Sequence, residues 1–115
     1  VGLWFALEDA TIKNGCLWAK PGGHHTSLRS WFRRKKDGGT EMHLLDKAPL
    51  SMEGMVPLEV KKGTCIVLHG LLPHYSLPNT SKKSRQAYAI HLIDQTAYYP
   101  KDNWLQRKQS ELTGF

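Results

Sequence analysis

The sequence predicts an all-β fold, a sandwich or a barrel, and three observations predict it. Five or six short stretches alternate apolar with other residues or run β-branched. Turn signals separate them, among them Asn14-Gly15, Pro21-Gly22-Gly23 and Lys61-Lys62-Gly63. Almost no stretch keeps a helical period. The 115 residues bound the fold to a single domain at most. That many short strands would leave sheet edges bare unless something completed them.

Taken in order, Val1 to Leu7 reads as the first strand, with Leu3, Phe5 and Leu7 on one face and Gly2, Trp4 and Ala6 on the other. Glu8 to Gly15 is polar and closes in the Asn14-Gly15 turn, and Cys16 to Ala19 is a second short strand. Residues 24 to 56 are the least patterned. They carry Arg33-Arg34-Lys35-Lys36 and Gly38-Gly39 and read as a loop or a frayed helix. Regularity returns with Leu58 to Val60, the β-branched run Thr64 to His69, the short extended piece Pro73 to Leu77, and Arg85 to Asp94. The tail from Gln95 is polar and aromatic, with one helical turn expected around Trp104.

Composition narrows the function classes. Hydrophobic residues at 40% and charged residues at 23% exclude a disordered tail. Sixteen Lys and Arg against ten Asp and Glu give a net charge of +6, which raises the weight of anionic partners without choosing among nucleic acid, a phosphate-bearing substrate and a membrane surface. No apolar run approaches the ~20 residues of a membrane span. The first residues have neither the basic flank nor the cleavage site of a signal peptide. Two cysteines, Cys16 and Cys65, make no disulfide framework and read as small buried apolar residues. An intracellular setting, cytoplasmic in the first instance, is therefore expected. The chain opens with Val1 already inside a strand, so it reads as cut from something longer.

The Arg85 stretch carries the most informative pattern. Arg85, Ala87, Ala89 and His91 share a face, a cation followed by two small residues and an imidazole. A packed core would fill that volume. Small residues beside an inward guanidinium leave room for an anionic guest, and the guanidinium fork suits a planar carboxylate. Gly2, Trp4 and Ala6 form a second small face with one aromatic wall, so a cavity between sheets is expected. The competing reading makes Arg85 a rim residue whose small neighbours face large side chains. Among six histidines there is no HxH, HxD or HxxxH, nor any CxxC, so no complete metal site can be read. His74 lies eleven residues before Arg85 across a polar loop. If the two strands pair antiparallel, imidazole and guanidinium meet in one cavity. A histidine on non-haem iron beside an anchored carboxylate is how a chelating oxo-acid is held.

Val1 to Thr11, Asn14 to Trp18 and Pro21-Gly22-Gly23-His24 resemble the phytanoyl-CoA dioxygenase family. So do Gly63 to Gly70, His74-Tyr75-Ser76, Ser84-Arg85-Gln86-Ala87-Tyr88, His91-Leu92 and Asn103-Trp104-Leu105. The likeness spans nearly the whole chain except about residues 26 to 56. It implies a double-stranded β-helix, or jelly roll, that binds Fe(II) and the co-substrate 2-oxoglutarate, with ascorbate as an accessory reductant. It further implies hydroxylation of a small organic substrate with release of succinate and CO2. An acyl-CoA or another lipid-like or carboxylate compound is the substrate class it leaves open. Residue by residue, His74 matches the distal iron ligand, Arg85 the anchor of the far carboxylate of 2-oxoglutarate, and Ser76 and Trp4 further co-substrate contacts. Two departures matter. The family's HxD lies upstream of the strand that opens at Val1, so two of three iron ligands are missing. The chain is thus expected to be the C-terminal part of a larger domain, incomplete as a jelly roll and inactive alone. Ala19-Lys20 and the 26–56 region depart from the family where it shapes the cavity mouth.

Two rival readings stand beside this one. A non-catalytic jelly-roll module would keep the fold without turnover. A nucleic-acid module would use Trp31-Phe32-Arg33-Arg34-Lys35-Lys36 to stack bases and bind phosphates, although a charge run is more often a solvated loop.

Overall fold

The structure, a computed structural model, describes residues 1–106. Eight strands follow in order: β1 (Gly2–Ala6), β2 (Leu17–Ala19), β3 (Ser30–Arg34), β4 (Thr40–Leu44), β5 (Val56–Leu58), β6 (Cys65–Leu68), β7 (His74–Ser76) and β8 (Ala87–His91). A single 3-10 turn, Gly23–His25, is the one helical element among the described residues. The fold is all-β, as predicted. Two compact units divide the chain: residues 1–27 with 50–92, and residues 28–49 with the segment from Ile93.

The first unit holds two antiparallel three-stranded sheets, ordered β6-β1-β8 and β5-β2-β7. Consecutive elements change sheet, as jelly-roll strands do: β1 and β2 part company, and so do β6, β7 and β8. Register follows the period of two. Ala6, Trp4 and Gly2 lie opposite Ala87, Ala89 and His91, so the two small faces read from the sequence are one continuous face. Leu68 and Ile66 of β6 continue it on the other side. In the second sheet Leu17 and Ala19 share a face with Ser76 and His74. Trp4, Ala6 and Leu68 from the first sheet pack with Leu17, Cys16 and Ala10 into the core. Trp4 is the largest side chain of that core; an alanine there would cost about 3–5 kcal/mol. The opposite face of the second sheet stacks Trp18 on Tyr75, with ring centroids 6.1 Å apart.

The second unit is a hairpin of β3 and β4, with Gly38 and Gly39 in the left-handed region between them. Residues 24 to 56 are therefore not the loop or frayed helix the sequence predicts. Trp31 and Phe32 are adjacent and both exposed, so the hairpin never shows the alternation that marks a half-buried strand. The expected helical turn at Trp104 is absent as well. Asn103 bridges Arg33 instead, Arg34 Nε donates to the Trp104 carbonyl at 3.0 Å, and the Trp104 ring rests against Phe32. A lone hairpin is marginal in water, and this added segment gives it a third backbone neighbour. A further correction concerns Cys65, which is exposed while Cys16 is fully buried. Burial pushes the Cys16 thiol up, away from reactivity.

Candidate active site

The chain before β8 is fixed by the β1–β2 connection. Asn14 is 5% exposed and its amide is fully used. Its Oδ1 accepts from the Thr11 N–H at 2.7 Å and the Thr11 hydroxyl at 3.0 Å, and its Nδ2 donates to the carbonyls of Asp9 at 2.8 Å and Ser84 at 3.2 Å. Glu8 clasps the same segment, accepting from the Ser84 hydroxyl and from the Gln86 N–H at 2.9 Å. The residue between these two ties is Arg85.

Gly15 completes the frame. Its φ of 86° belongs to the left-handed region, and a Cβ there would come within 2.8 Å of the Leu77 carbonyl oxygen. Its own carbonyl accepts from Arg85 Nε at 2.9 Å. Arg85 Nη2 reaches the Ser76 hydroxyl at 3.4 Å, and the guanidinium carbon sits 5.6 Å from the centroid of the Trp4 ring. Of the four residues singled out from the sequence, Arg85 thus meets two of the others, Ser76 and Trp4. No carboxylate pairs with Arg85 among the described residues, and its Nη1 makes no hydrogen bond there. An anionic group fits such a half-satisfied fork.

His74 arrives by a different route from the one expected. β7 does not pair with the strand after Arg85; it pairs with β2 in the other sheet, and residues 77 to 86 cross between sheets. Ten residues of polar chain are long enough for a crossover, so pairing across that loop was not required. Imidazole and guanidinium still share a side. His74 and Ser76 are two residues apart on one strand face, about 7 Å along the strand, and Arg85 reaches that face at Ser76. His74 Nδ1 lies 2.8 Å from the Leu72 carbonyl oxygen. A carbonyl only accepts, so Nδ1 carries a proton, and in the neutral ring Nε2 then keeps its lone pair, the tautomer a metal ligand needs. The described residues contain no group of three or more His, Cys, Asp or Glu able to hold a metal. His74 fits as one ligand and not as a complete set.

A cavity of about 220 Å³ is lined by Trp4 and His74, with Gly2, Leu68, Ala89 and His91 among its other walls; Arg85 and Ser76 are not part of its lining. Gly2 and Ala89, small residues of the paired faces, border this space. Nothing in the residue pattern signals that Asn14, Gly15 and Glu8 hold Arg85: Asn14-Gly15 reads only as a turn, and Glu8 only as polar loop.

The family model for phytanoyl-CoA dioxygenase (PhyH) matches residues 1–87. The chain belongs to the phytanoyl-CoA dioxygenase family. Relatives within the family include phytanoyl-CoA dioxygenase 1 of Oryza sativa subsp. japonica, 47% identical over 93% of this chain and 38% of its own length. Phytanoyl-CoA dioxygenase of Arabidopsis thaliana is 45% identical over 92% of this chain and 37% of its own. Phytanoyl-CoA dioxygenase domain-containing protein 1 of Mus musculus is 41% identical over 92% of this chain and 38% of its own. The chain thus spans about two-fifths of the length of these family members. No helix among the described residues is long and apolar enough to cross a membrane.

Proposed function

We propose that the protein is the C-terminal part of an Fe(II)- and 2-oxoglutarate-dependent dioxygenase that hydroxylates an organic substrate and releases succinate and CO2. One observation carries this reading: among the described residues a guanidinium held by Gly15, Ser76 and Trp4 has no carboxylate partner, and the Trp4 ring it lies against is a wall of the cavity that His74 also lines. Arg85 grips the far carboxylate of 2-oxoglutarate through its free N–H groups, while the Ser76 hydroxyl lends a further hydrogen bond and the Trp4 ring bounds the diacid. The spacing of His74 and Ser76 along β7 is comparable with the length of an extended five-carbon dicarboxylate. His74 Nε2 would be one ligand to iron, and the other ligands would come from outside the described residues, in keeping with the share of the relatives that the chain spans. Iron supplies the activation of O₂ that couples decarboxylation of the diacid to attack on a C–H bond. The substrate is lipid-like or a carboxylate, the acyl-CoA named in the relatives being one such compound.

Succinate formation from 2-oxoglutarate, with Fe(II) and ascorbate supplied, tests the reading in two preparations. The full-length protein is expected to produce succinate and the 115-residue chain is not. Full-length protein that binds 2-oxoglutarate yet never forms succinate would make this a non-catalytic jelly-roll module. The basic hairpin favours nucleic acid less: Arg33 already pairs with Glu41 at 3.3 Å and Asp102 at 3.6 Å.

A further inference from the structure

Three imidazoles gather away from Arg85. His24 and His25 are consecutive in the 3-10 turn, with ring centroids 3.9 Å apart, and His69, in the loop after β6, lies 5.1 Å from His24. Two contacts seat the turn against that loop. The Lys20 N–H donates to the Pro73 carbonyl at 3.1 Å, and Gly23 lacks a Cβ where one would come within 2.8 Å of Pro73 Cδ. His69 is also a wall of the 220 Å³ cavity, together with Leu3, Leu68 and Ile90. The cluster therefore meets the cavity through His69 alone, on a wall that also carries apolar side chains.

The ring protons are partly assigned by their partners. His69 Nδ1 accepts the Leu71 N–H at 3.1 Å, so in the neutral ring its proton sits on Nε2 and is free to donate. The charges that act on His24 are those of His25 and His69, with no carboxylate among them, and Lys20 adds a further cation beside the turn. Partial burial and the two neighbouring rings hold His24 below the usual imidazole range. The three rings crowd together with no acid among the charges that act on His24. An oxyanion would accept their N–H groups and offset their mutual repulsion.

We propose that His24, His25 and His69 form a clamp for a doubly charged oxyanion, a phosphate or its like, carried by the substrate whose apolar part enters the cavity. Naming the guest as substrate rests on the dioxygenase reading; the clamp itself does not. Binding draws protons onto the rings, so affinity falls as pH rises, by up to about tenfold per pH unit for each proton taken up.

Calorimetric titration of the full-length protein with sulfate tests the clamp, since sulfate keeps its charge between about pH 6 and about pH 8 while imidazoles lose theirs. Sulfate is expected to bind more tightly at the lower pH. His24→Asn and His69→Asn should each weaken it by about tenfold or more. Sulfate binding that is lost in Arg85→Ala and kept in both histidine variants, or no pH dependence, overturns the clamp. Hexyl phosphate is then compared with methyl phosphate. Tighter binding of the hexyl ester supports a substrate-borne anion, whereas equal affinities assign the clamp to a free anion and overturn its role in holding substrate. None of these measurements needs iron or turnover, so a protein that binds sulfate but makes no succinate fails the dioxygenase reading alone.

Discussion

Arg85 and His74 lie beside the same strand face and are held in opposite ways. Arg85 is gripped from three directions, and the residues on either side of it are tied down by Asn14 and Glu8. His74 is exposed and makes one hydrogen bond to main chain two residues away. The difference teaches where this chain's contribution ends. On the proposed function, the carboxylate anchor would be built before any guest arrives, so little ordering would remain to be done on binding. The metal end would offer one nitrogen and need further ligands that the described residues do not supply.

The largest expected effect falls on the loosely held residue. In the full-length protein His74→Ala should abolish succinate formation, because one of three iron ligands is gone. Folding stability should hardly move, within about 0.5 kcal/mol, as suits an exposed side chain. Binding of 2-oxoglutarate at Arg85 should survive in part. Retained turnover would remove His74 from the metal and leave it a surface imidazole.

Arg85→Ala should raise the KM for 2-oxoglutarate more than tenfold, since removing the partner of a desolvated charge costs about 2 kcal/mol or more. Arg85→Lys should recover only part of the loss, because an ammonium cannot reproduce the fork. An unchanged KM would mean that the preformed anchor serves some other group.

The frame around Arg85 comes next. Asn14→Ala leaves two carbonyls and an N–H without their partner in a buried place, at about 1–3 kcal/mol. Gly15→Ala meets both a left-handed φ and the Leu77 carbonyl. Gly22→Ala meets only the φ, with nothing within 4 Å of the new Cβ, and should cost about 1 kcal/mol. Denaturant midpoints rank the three, and Asn14→Ala should also raise the KM for 2-oxoglutarate. If Gly22→Ala proved as harmful as Gly15→Ala, the close approach at Gly15 would not be what fixes the turn.

These residues also show what the sequence could and could not disclose. The small faces of β1 and β8 were legible because a strand's period of two sorts residues without help from elsewhere, and their register then placed Trp4 beside Ala89. Which strands share a sheet was not legible, because loop length permits either pairing or crossing between His74 and Arg85. The hairpin of β3 and β4 escaped because its faces are both exposed, which erases the alternation. Asn14 escaped for a related reason: an Asn-Gly pair announces a turn, but only packing reveals that the amide is buried and spent on the far side of the chain at Ser84.

Asp9 provides the smallest and most local test. Its Oδ1 accepts the Lys62 N–H at 2.9 Å and its Oδ2 pairs with Lys61 Nζ at 3.0 Å, and these two contacts hold its carboxyl below the usual carboxylate range. The folded pKa is the lower one, so at acid pH the unfolded chain binds more protons and stability rises with pH. The contribution is complete above the ordinary carboxylate value and is lost as pH falls through the folded value. Asp9→Asn should therefore lower the denaturant midpoint slightly near neutral pH and converge with the parent at acid pH. The exposed setting keeps the difference small. Asn14 binds the Asp9 carbonyl rather than its carboxylate, so the KM for 2-oxoglutarate should stay where it was. A shift in that KM would show that the loop transmits strain from its exposed end to Arg85, and that the anchor is less rigid than its hydrogen bonds imply.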